Sequence, residues 1–416
     1  MTSARQREHV AEPAADASTL GGMNVVLPRH PDGSPRLVTR LVRRVLKPTV
    51  GVIVPAYGVE DYLATSLDSL LAQTYPHWRC VVVDDGSPDR SGEIADAYAA
   101  RDSRISVLHT DNGGLGAARN RGTRAVSGEY LAFLDSDDVL APDALEHLVH
   151  TAEESGSDFV CAMLQRVEAE PPVGPGTHVP EWLANLHAEP RRRIRVEDHC
   201  EMLGDVFAVT KLWRRSFWDA QGLSWPERIR YEDQPTTTRA FLAGTFDVTT
   251  RVVYDWVIRT DGSSITQQRH TVADLVDRWR TKEWSVASVE AHGDDHVTEV
   301  FWTKILPGDL WAYFSEIPGA DDAWWDELQS GLTRLWGERS LLDSILVPHE
   351  RITGWLVQQD RRADAERLVS YVARVGAENL PHSEDGLRLA LPAEVLDLSS
   401  LPADVDVLRE WERRGA

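Results

Sequence analysis

The chain reads as an α/β protein, a mixed sheet flanked by helices with a C-terminal α-helical region behind it. Three observations carry that reading. Short apolar runs of strand length alternate with amphipathic helical segments from about residue 50 to 150. Acidic clusters follow two of those runs at the point where a strand opens into a loop. After His270 the periodicity turns helical, with aromatic residues recurring on one face.

The elements follow in order. Val50-Gly51-Val52-Ile53-Val54 is a buried-strand run that ends in the turn signal Pro55-Ala56-Tyr57-Gly58. A helix comes next, with Asp61 as its N-cap and Leu63, Leu67, Leu70 and Leu71 at helical spacing, stopping at Thr74-Tyr75-Pro76. Cys80-Val81-Val82-Val83 is a second strand and opens into Asp84-Asp85-Gly86-Ser87. Ile94 to Ala100 reads as a helix, and Ile105-Ser106-Val107-Leu108 as a third strand. The turn Asn112-Gly113-Gly114-Leu115-Gly116 then feeds a helix carrying Arg119, and Tyr130 to Leu134 is a fourth strand. Parallel strands joined by right-handed crossovers place these loops on one edge, so Tyr57, Asp85, Arg119, Asp135 and Asp137 should share one crevice.

Asp135-Ser136-Asp137 is the chemically informative piece. A diphosphate leaving group carries several negative charges, and a divalent cation held by one or two carboxylates neutralises charge developing as its bond breaks. Asp-x-Asp alone is a common loop sequence, so the surrounding strands and the carboxylates at their ends give it weight. Asp84 reads as a structural carboxylate capping the following turn.

Five ordered blocks carry a resemblance: Val54-Pro55-Ala56-Tyr57, Gln73-Thr74-Tyr75-Pro76, Val83-Asp84-Asp85-Gly86-Ser87, Gly116-Ala117-Ala118-Arg119-Asn120 and Leu134-Asp135-Ser136-Asp137-Asp138. Together they resemble the family 2 glycosyltransferases, inverting enzymes of the GT-A fold, Rossmann-like, that use nucleotide-diphosphate sugars. The resemblance is dense from Val50 to about Val149. It continues more thinly through Lys211-Leu212-Trp213-Arg214-Arg215 and Arg230-Tyr231-Glu232-Asp233-Gln234 to Ser264-Ile265-Thr266, where family members carry the acceptor side.

The resemblance implies roles. Pro55, Ala56 and Tyr57 would pack on a nucleobase, uracil by the pattern, whose imide hydrogen Asp85 accepts. Arg119 would approach the base or phosphates, and Asp135, followed by Ser136, the ribose. Asp137 would hold Mn2+ or Mg2+, and Asp138 would support the loop. Arg259 would pair with phosphate; relatives carry an Arg where this chain has Val257, and a surface ion pair is the other reading of Arg259. An inverting transfer needs a base for the acceptor hydroxyl. The family places it as the Asp of a Glu-Asp pair, which is Asp233 here. Acidic side chains opening a helix at its positive end are a compatible structural reading of Glu232 and Asp233. The implied partners are a nucleotide-sugar donor and a cell-envelope glycan, polyol-phosphate polymer or lipid-linked acceptor. Processive members carry Gln-x-x-Arg-Trp with membrane spans. This chain has Leu275 before Arg278-Trp279, which points to single or distributive transfer.

Composition bounds the alternatives. The 416 residues, 42% hydrophobic, suffice for roughly two or three domains. A net charge of −22 speaks against a nucleic-acid partner, and no apolar run is long enough to span a bilayer. Cys80, Cys161 and Cys200 lack metal-ligand spacing and fit a reducing, cytoplasmic setting. Residues 1–35 read as a disordered leader and 36–48 as a basic amphipathic helix. That helix either contacts the membrane surface peripherally or packs on the catalytic domain. Residues 49–269 would form the GT-A domain and 270–416 the helical region. More than half of the fifteen tryptophans lie in the latter, where core packing is the simpler account than a sugar platform. Two rival classes remain. A nucleotidyltransferase would show a Gly-rich basic loop where Pro55-Ala56-Tyr57-Gly58 stands, and retention of Asp85, Asp135, Asp137 and Asp233 together argues against a catalytically silent glycan-binding or scaffold module.

Overall fold

The structure is a computed structural model that describes residues 47–168, 177–258, 268–403, 405–409 and 412, together with the backbone of 16–20 and 23–27. Within the segment read as a leader, strands β1 (Asp16–Leu20) and β2 (Met23–Leu27) pair antiparallel as a sheet of their own. The rest of 1–46, and with it all but the end of the basic helix expected over 36–48, lies outside the described residues.

The first unit alternates strand and helix: β3 (Val50–Ala56), α1 (Leu63–Leu71), β4 (Trp78–Asp84), α2 (Ser91–Arg101), β5 (Ile105–His109), α3 (Leu115–Ala125) and β6 (Tyr130–Phe133). Each strand run expected from the sequence is there. The helix after β3 differs in its start: Tyr62 takes the N-cap position and no side chain caps it, so Asp61 is not the cap. Next come β7 (Val139–Leu140), α4 (Ala144–Ser155), β8 (Phe159–Glu168), β9 (Thr177–His178), α5 (Glu181–Leu186), β10 (Arg191–Ile194), β11 (Lys211–Arg214), α6 (Arg215–Ala220), α7 (Asp233–Ala243) and the long β12 (Phe246–Ile258). The main sheet runs β10-β12-β8-β11-β6-β3-β4-β5, with β7 beside β12 and β9 beside β8.

Strands β6, β3, β4 and β5 are parallel, so the loops after them open on one edge. Strand β11 is antiparallel to both β6 and β8, which makes the sheet mixed. Successive side chains serve opposite faces. Val50, Val52 and Val54 of β3 join Leu63, Leu67 and Leu148 on one face, whereas Ile53 joins Phe133, Trp213, Phe241 and Trp279 on the other. Such two-sided burial explains why these strands read as unbroken apolar runs. Gln73 and Tyr75 turn out to be structural. The Gln73 amide donates to Ala141 O at 2.7 Å and accepts from Leu145 N–H at 3.1 Å, tying α1 to the entry of α4.

Beyond β12 the chain is helical: α8 (Val272–His292), α9 (Asp295–Val300), a π-helical turn over Phe301–Ile305, α10 (Trp311–Phe314), α11 (Asp322–Trp336), α12 (Pro348–Gln358) and α13 (Arg362–Val375). This region shares its core with the sheet, because Trp279, Phe301, Trp324 and Leu356 belong to the same cluster as Ile53 and Phe133. Trp279, Trp302, Trp324, Trp325 and Trp336 are buried, the core-packing outcome, while Trp284 stays 42% exposed.

Candidate active site

The loops after β3 to β6 meet on the carboxyl edge as expected. Pro55 and Ala56 are buried as the last turn of β3 toward the edge, and the Tyr57 ring beyond them is 53% exposed. An open aromatic ring at this position can stack on a planar base.

Asp85 is already heavily engaged. Its carboxylate accepts from Gly113 N–H at 3.0 Å and Gly114 N–H at 2.8 Å, from Thr110 Oγ1 at 3.2 Å and from Arg121 Nη1 at 2.8 Å. The residue is 3% exposed. The resemblance implies that Asp85 meets a nucleobase; in the structure its carboxylate also orders the Asn112–Gly114 turn and engages Arg121, a residue the motifs do not single out. Asp84 does cap its turn, accepting from Ser87 N–H at 3.0 Å.

Arg119 is engaged by the protein in the same way. It is buried, with Nη2 donating to Asp135 Oδ1 at 2.7 Å and Nη1 to Glu232 Oε1. Its guanidinium also lies 5.4 Å from the Trp225 ring centre. Through Nη1 and Nη2 Arg119 links the end of β6 to the Glu232-Asp233 pair, while its Nε–H has no partner among the described residues. Neighbouring Asn120 completes the attachment by donating to Trp225 O at 2.8 Å and accepting from Trp225 N–H at 2.9 Å. Gly116 lets the two segments touch, since a Cβ there would sit 2.0 Å from Pro226 O.

The Asp135–Asp138 loop is held from below by Tyr254 on β12. Its hydroxyl donates to Asp138 Oδ2 at 2.8 Å and accepts from Asp135 N–H at 3.1 Å, while Val257 N–H donates to Asp138 Oδ1 at 2.8 Å. Asp138 therefore supports the loop. Burial, then the Asp137 and Asp135 charges, push its carboxyl well above the ordinary range. Ser136 is buried and Asp137 partly exposed. Among the described residues no group of three His, Cys, Asp or Glu side chains forms a metal cage. Asp135 and Asp137 are both partly exposed, whereas Asp138 is buried and engaged, so the loop offers one or two carboxylates of the kind that hold a cation whose remaining oxygens come from a diphosphate and water.

Asp233 begins α7, with Glu232 as the N-cap residue. Burial raises the Glu232 carboxyl to about 7 against the opposing pull of Arg119, and the Asp233 charge adds to the rise. Burial likewise raises Asp233, while Arg119, Arg278 and Lys211 hold it down. Preceding them, Tyr231 adopts a left-handed backbone with φ 61°. A bulky residue holds such a conformation only where its surroundings impose it. Here α8 does so: the Tyr231 hydroxyl donates to Asp274 at 3.0 Å, and Arg278 Nη1 donates to Gln234 Oε1 at 2.8 Å. Arg278 in turn is gripped by Asp309, its Nε lying 2.7 Å from the carboxylate.

Lys211, expected on the acceptor side, is instead fully buried in the central strand β11, its Nζ donating to Asp205 at 2.8 Å. Arg259 and the Ser264-Ile265-Thr266 block lie outside the described residues. A groove of about 880 Å³ lined by Lys47, Tyr75, Glu146, His150 and Arg251 among others contains none of the candidate residues.

The model of "Glycosyl transferase family 2" matches residues 51–211, the strands and loops just described. Two curated relatives from Bacillus subtilis (strain 168) align over more of the chain. "Uncharacterized glycosyltransferase EpsJ" is 36% identical over 202 residues, 47% of this chain and 56% of its own length. "Putative glycosyltransferase EpsH" is 34% identical over 225 residues, 53% of this chain and 63% of its own length. Residues 51–211 match a family 2 glycosyltransferase domain. The chain spans only about 56–63% of these relatives' lengths. Among solved structures, S. aureus TarS 1-349 in complex with UDP-GlcNAc shares the fold, with TM-score 0.61 and 20% identity over 83% of this chain and 97% of that one. The family 2 domain thus contains the Asp85 turn and the Asp135–Asp138 loop, whereas Glu232 and Asp233 lie past the matched residues and reach the site through Arg119.

Proposed function

We propose that the protein is a metal-dependent inverting glycosyltransferase that moves a sugar from a UDP-sugar to a hydroxyl of a cell-envelope glycan, polyol-phosphate polymer or lipid-linked acceptor. The observation that carries this reading is the Arg119 bridge, which draws the Glu232-Asp233 pair up to the carboxylates at the end of β6. A base and a diphosphate-facing loop in one crevice are what a displacement at an anomeric carbon requires.

In this reading Asp233 takes the proton of the acceptor hydroxyl as its oxygen attacks the anomeric carbon from the face opposite the diphosphate. Tyr57 offers its ring to the base, and the Gly113-Gly114 turn held by Asp85 shapes the wall beside it. Asp137 is the carboxylate proposed for Mn2+ or Mg2+, which when bound would supply positive charge to the leaving diphosphate. Uracil as the base follows the family resemblance and the UDP-GlcNAc in the TarS structure that shares this fold. Buried free thiols at Cys80, Cys161 and Cys200 support a reducing, cytoplasmic setting. No helix among the described residues is long and apolar enough to cross a membrane.

The test is nucleotide release from a panel of UDP-, GDP- and dTDP-sugars with Mn2+, alongside Asp137→Ala. Metal-dependent release from one UDP-sugar, abolished by the substitution, is the expected result. Failure of every nucleotide sugar to bind or react would move the silent glycan-binding module ahead.

A further inference from the structure

Strand β12 continues past Tyr254, and Trp256 lies on the same face, two residues further along and so about 7 Å from it. Across the parallel pair with β8, Trp256 is in register with Arg166, whose guanidinium sits 4.8 Å from the Trp256 ring centre. The Arg166 Nε–H has no hydrogen-bond partner among the described residues. Phe207 adjoins Trp256 at 6.2 Å, and Trp182 of α5 stacks on Phe207 at 5.9 Å with 27° between the ring planes. Trp182 is 48% exposed, although its neighbour Leu183 is fully buried and anchors α5.

An exposed tryptophan backed by two aromatic rings is poor solvent-facing surface for a monomer, and its cost is offset when an apolar partner covers it. Pyranose rings present such a partner, with a face of C–H groups for the aromatic plane and equatorial hydroxyls for a neighbouring guanidinium. The row starts at the strand that holds Asp138 and Asp135, which fixes its place relative to the transfer site.

We propose that Trp182, Phe207, Trp256 and Arg166 form a subsite for a pyranose unit of a glycan acceptor, beside the β6 carboxylates. This rests on the glycosyltransferase reading for the acceptor's role, while the binding itself is measurable without turnover. Isothermal titration of the full chain, loaded with UDP and Mn2+, uses cellotriose, chitotriose and maltotriose as probes, with a glycerol-phosphate oligomer as the contrasting polyol polymer. At least one trisaccharide should bind, Trp182→Ala should weaken it about tenfold, and Trp182→Phe should stay within about threefold of the parent, since it keeps a ring on Phe207. Binding of no trisaccharide, equal binding by Trp182→Ala, or binding of the polyol phosphate alone would each overturn the subsite. Nucleotide release by the unsubstituted protein without acceptor tests the enzyme reading separately, so the two failures are distinguishable.

Discussion

Arg119 carries the most consequence at the scale of single residues. It is buried between two carboxylates, and removing a buried partner leaves uncompensated charge. Arg119→Met should therefore lower unfolding free energy by about 3–5 kcal/mol in urea titrations; a loss under about 1 kcal/mol would show the bridge to be incidental. Asp233→Asn keeps shape and removes the base. Transfer should fall by about 10²–10⁴ with the donor KM little changed, measured by initial rates against acceptor. An unchanged rate would assign the proton elsewhere. Asp85→Ala tests a different role. The part-buried N–H groups of Gly113 and Gly114 lose their acceptor, together at about 1–3 kcal/mol, so the loss should register as stability before it registers as donor specificity.

At the scale of elements, two contacts decide whether the crevice closes. Helix α3 meets the Trp225–Glu232 segment through Gly116, where any Cβ would strike Pro226 O. Gly116→Ala should cost about 1–3 kcal/mol and uncouple Arg119 from Glu232, read as a lower melting temperature with a disproportionate fall in transfer rate. Helix α8 governs the other side by holding Tyr231 in its left-handed conformation and Gln234 against Arg278. Arg278 lowers the Asp233 carboxyl, which burial has raised. The base acts when deprotonated, so activity rises with pH through that raised value. Arg278→Gln withdraws positive charge and should move the acid limb of kcat/KM to higher pH, whereas Arg278→Lys should restore it. A limb that stays in place would separate α8 from the base.

At the scale of the whole molecule, the sheet and the C-terminal helices share one apolar cluster that runs from Ile53 to Trp324 and Leu356. Cutting the chain after residue 269 would strip α8 from α7 and open the shared apolar cluster to water, at about 25 cal/mol per Å² of apolar surface. The full chain should unfold in one calorimetric transition, and a fragment ending at 269 should lose that transition. Two separable transitions would show the helical region to be independent.

Strand order in β3 to β6, the acidic loops at their ends and the start of α7 at Glu232-Asp233 were all legible in the chain. They depend on local periodicity and on the rule that parallel strands open their loops on one edge. Core tryptophans were legible for the same reason, as helical spacing puts them on an inward face. Which groups of this chain Asp85 and Arg119 meet was not legible. Their motifs mark the right edge of the sheet, but their partners lie elsewhere in the chain: Arg119 meets Glu232 across 113 residues, Tyr254 meets Asp138 across 116, and Arg278 meets Gln234 across 44. Such pairs satisfy buried donors and acceptors, and which donor finds which acceptor is decided only when the elements pack. Residue type and spacing named the crevice; tertiary packing chose which carboxylates in it are already engaged and which of them a ligand can meet.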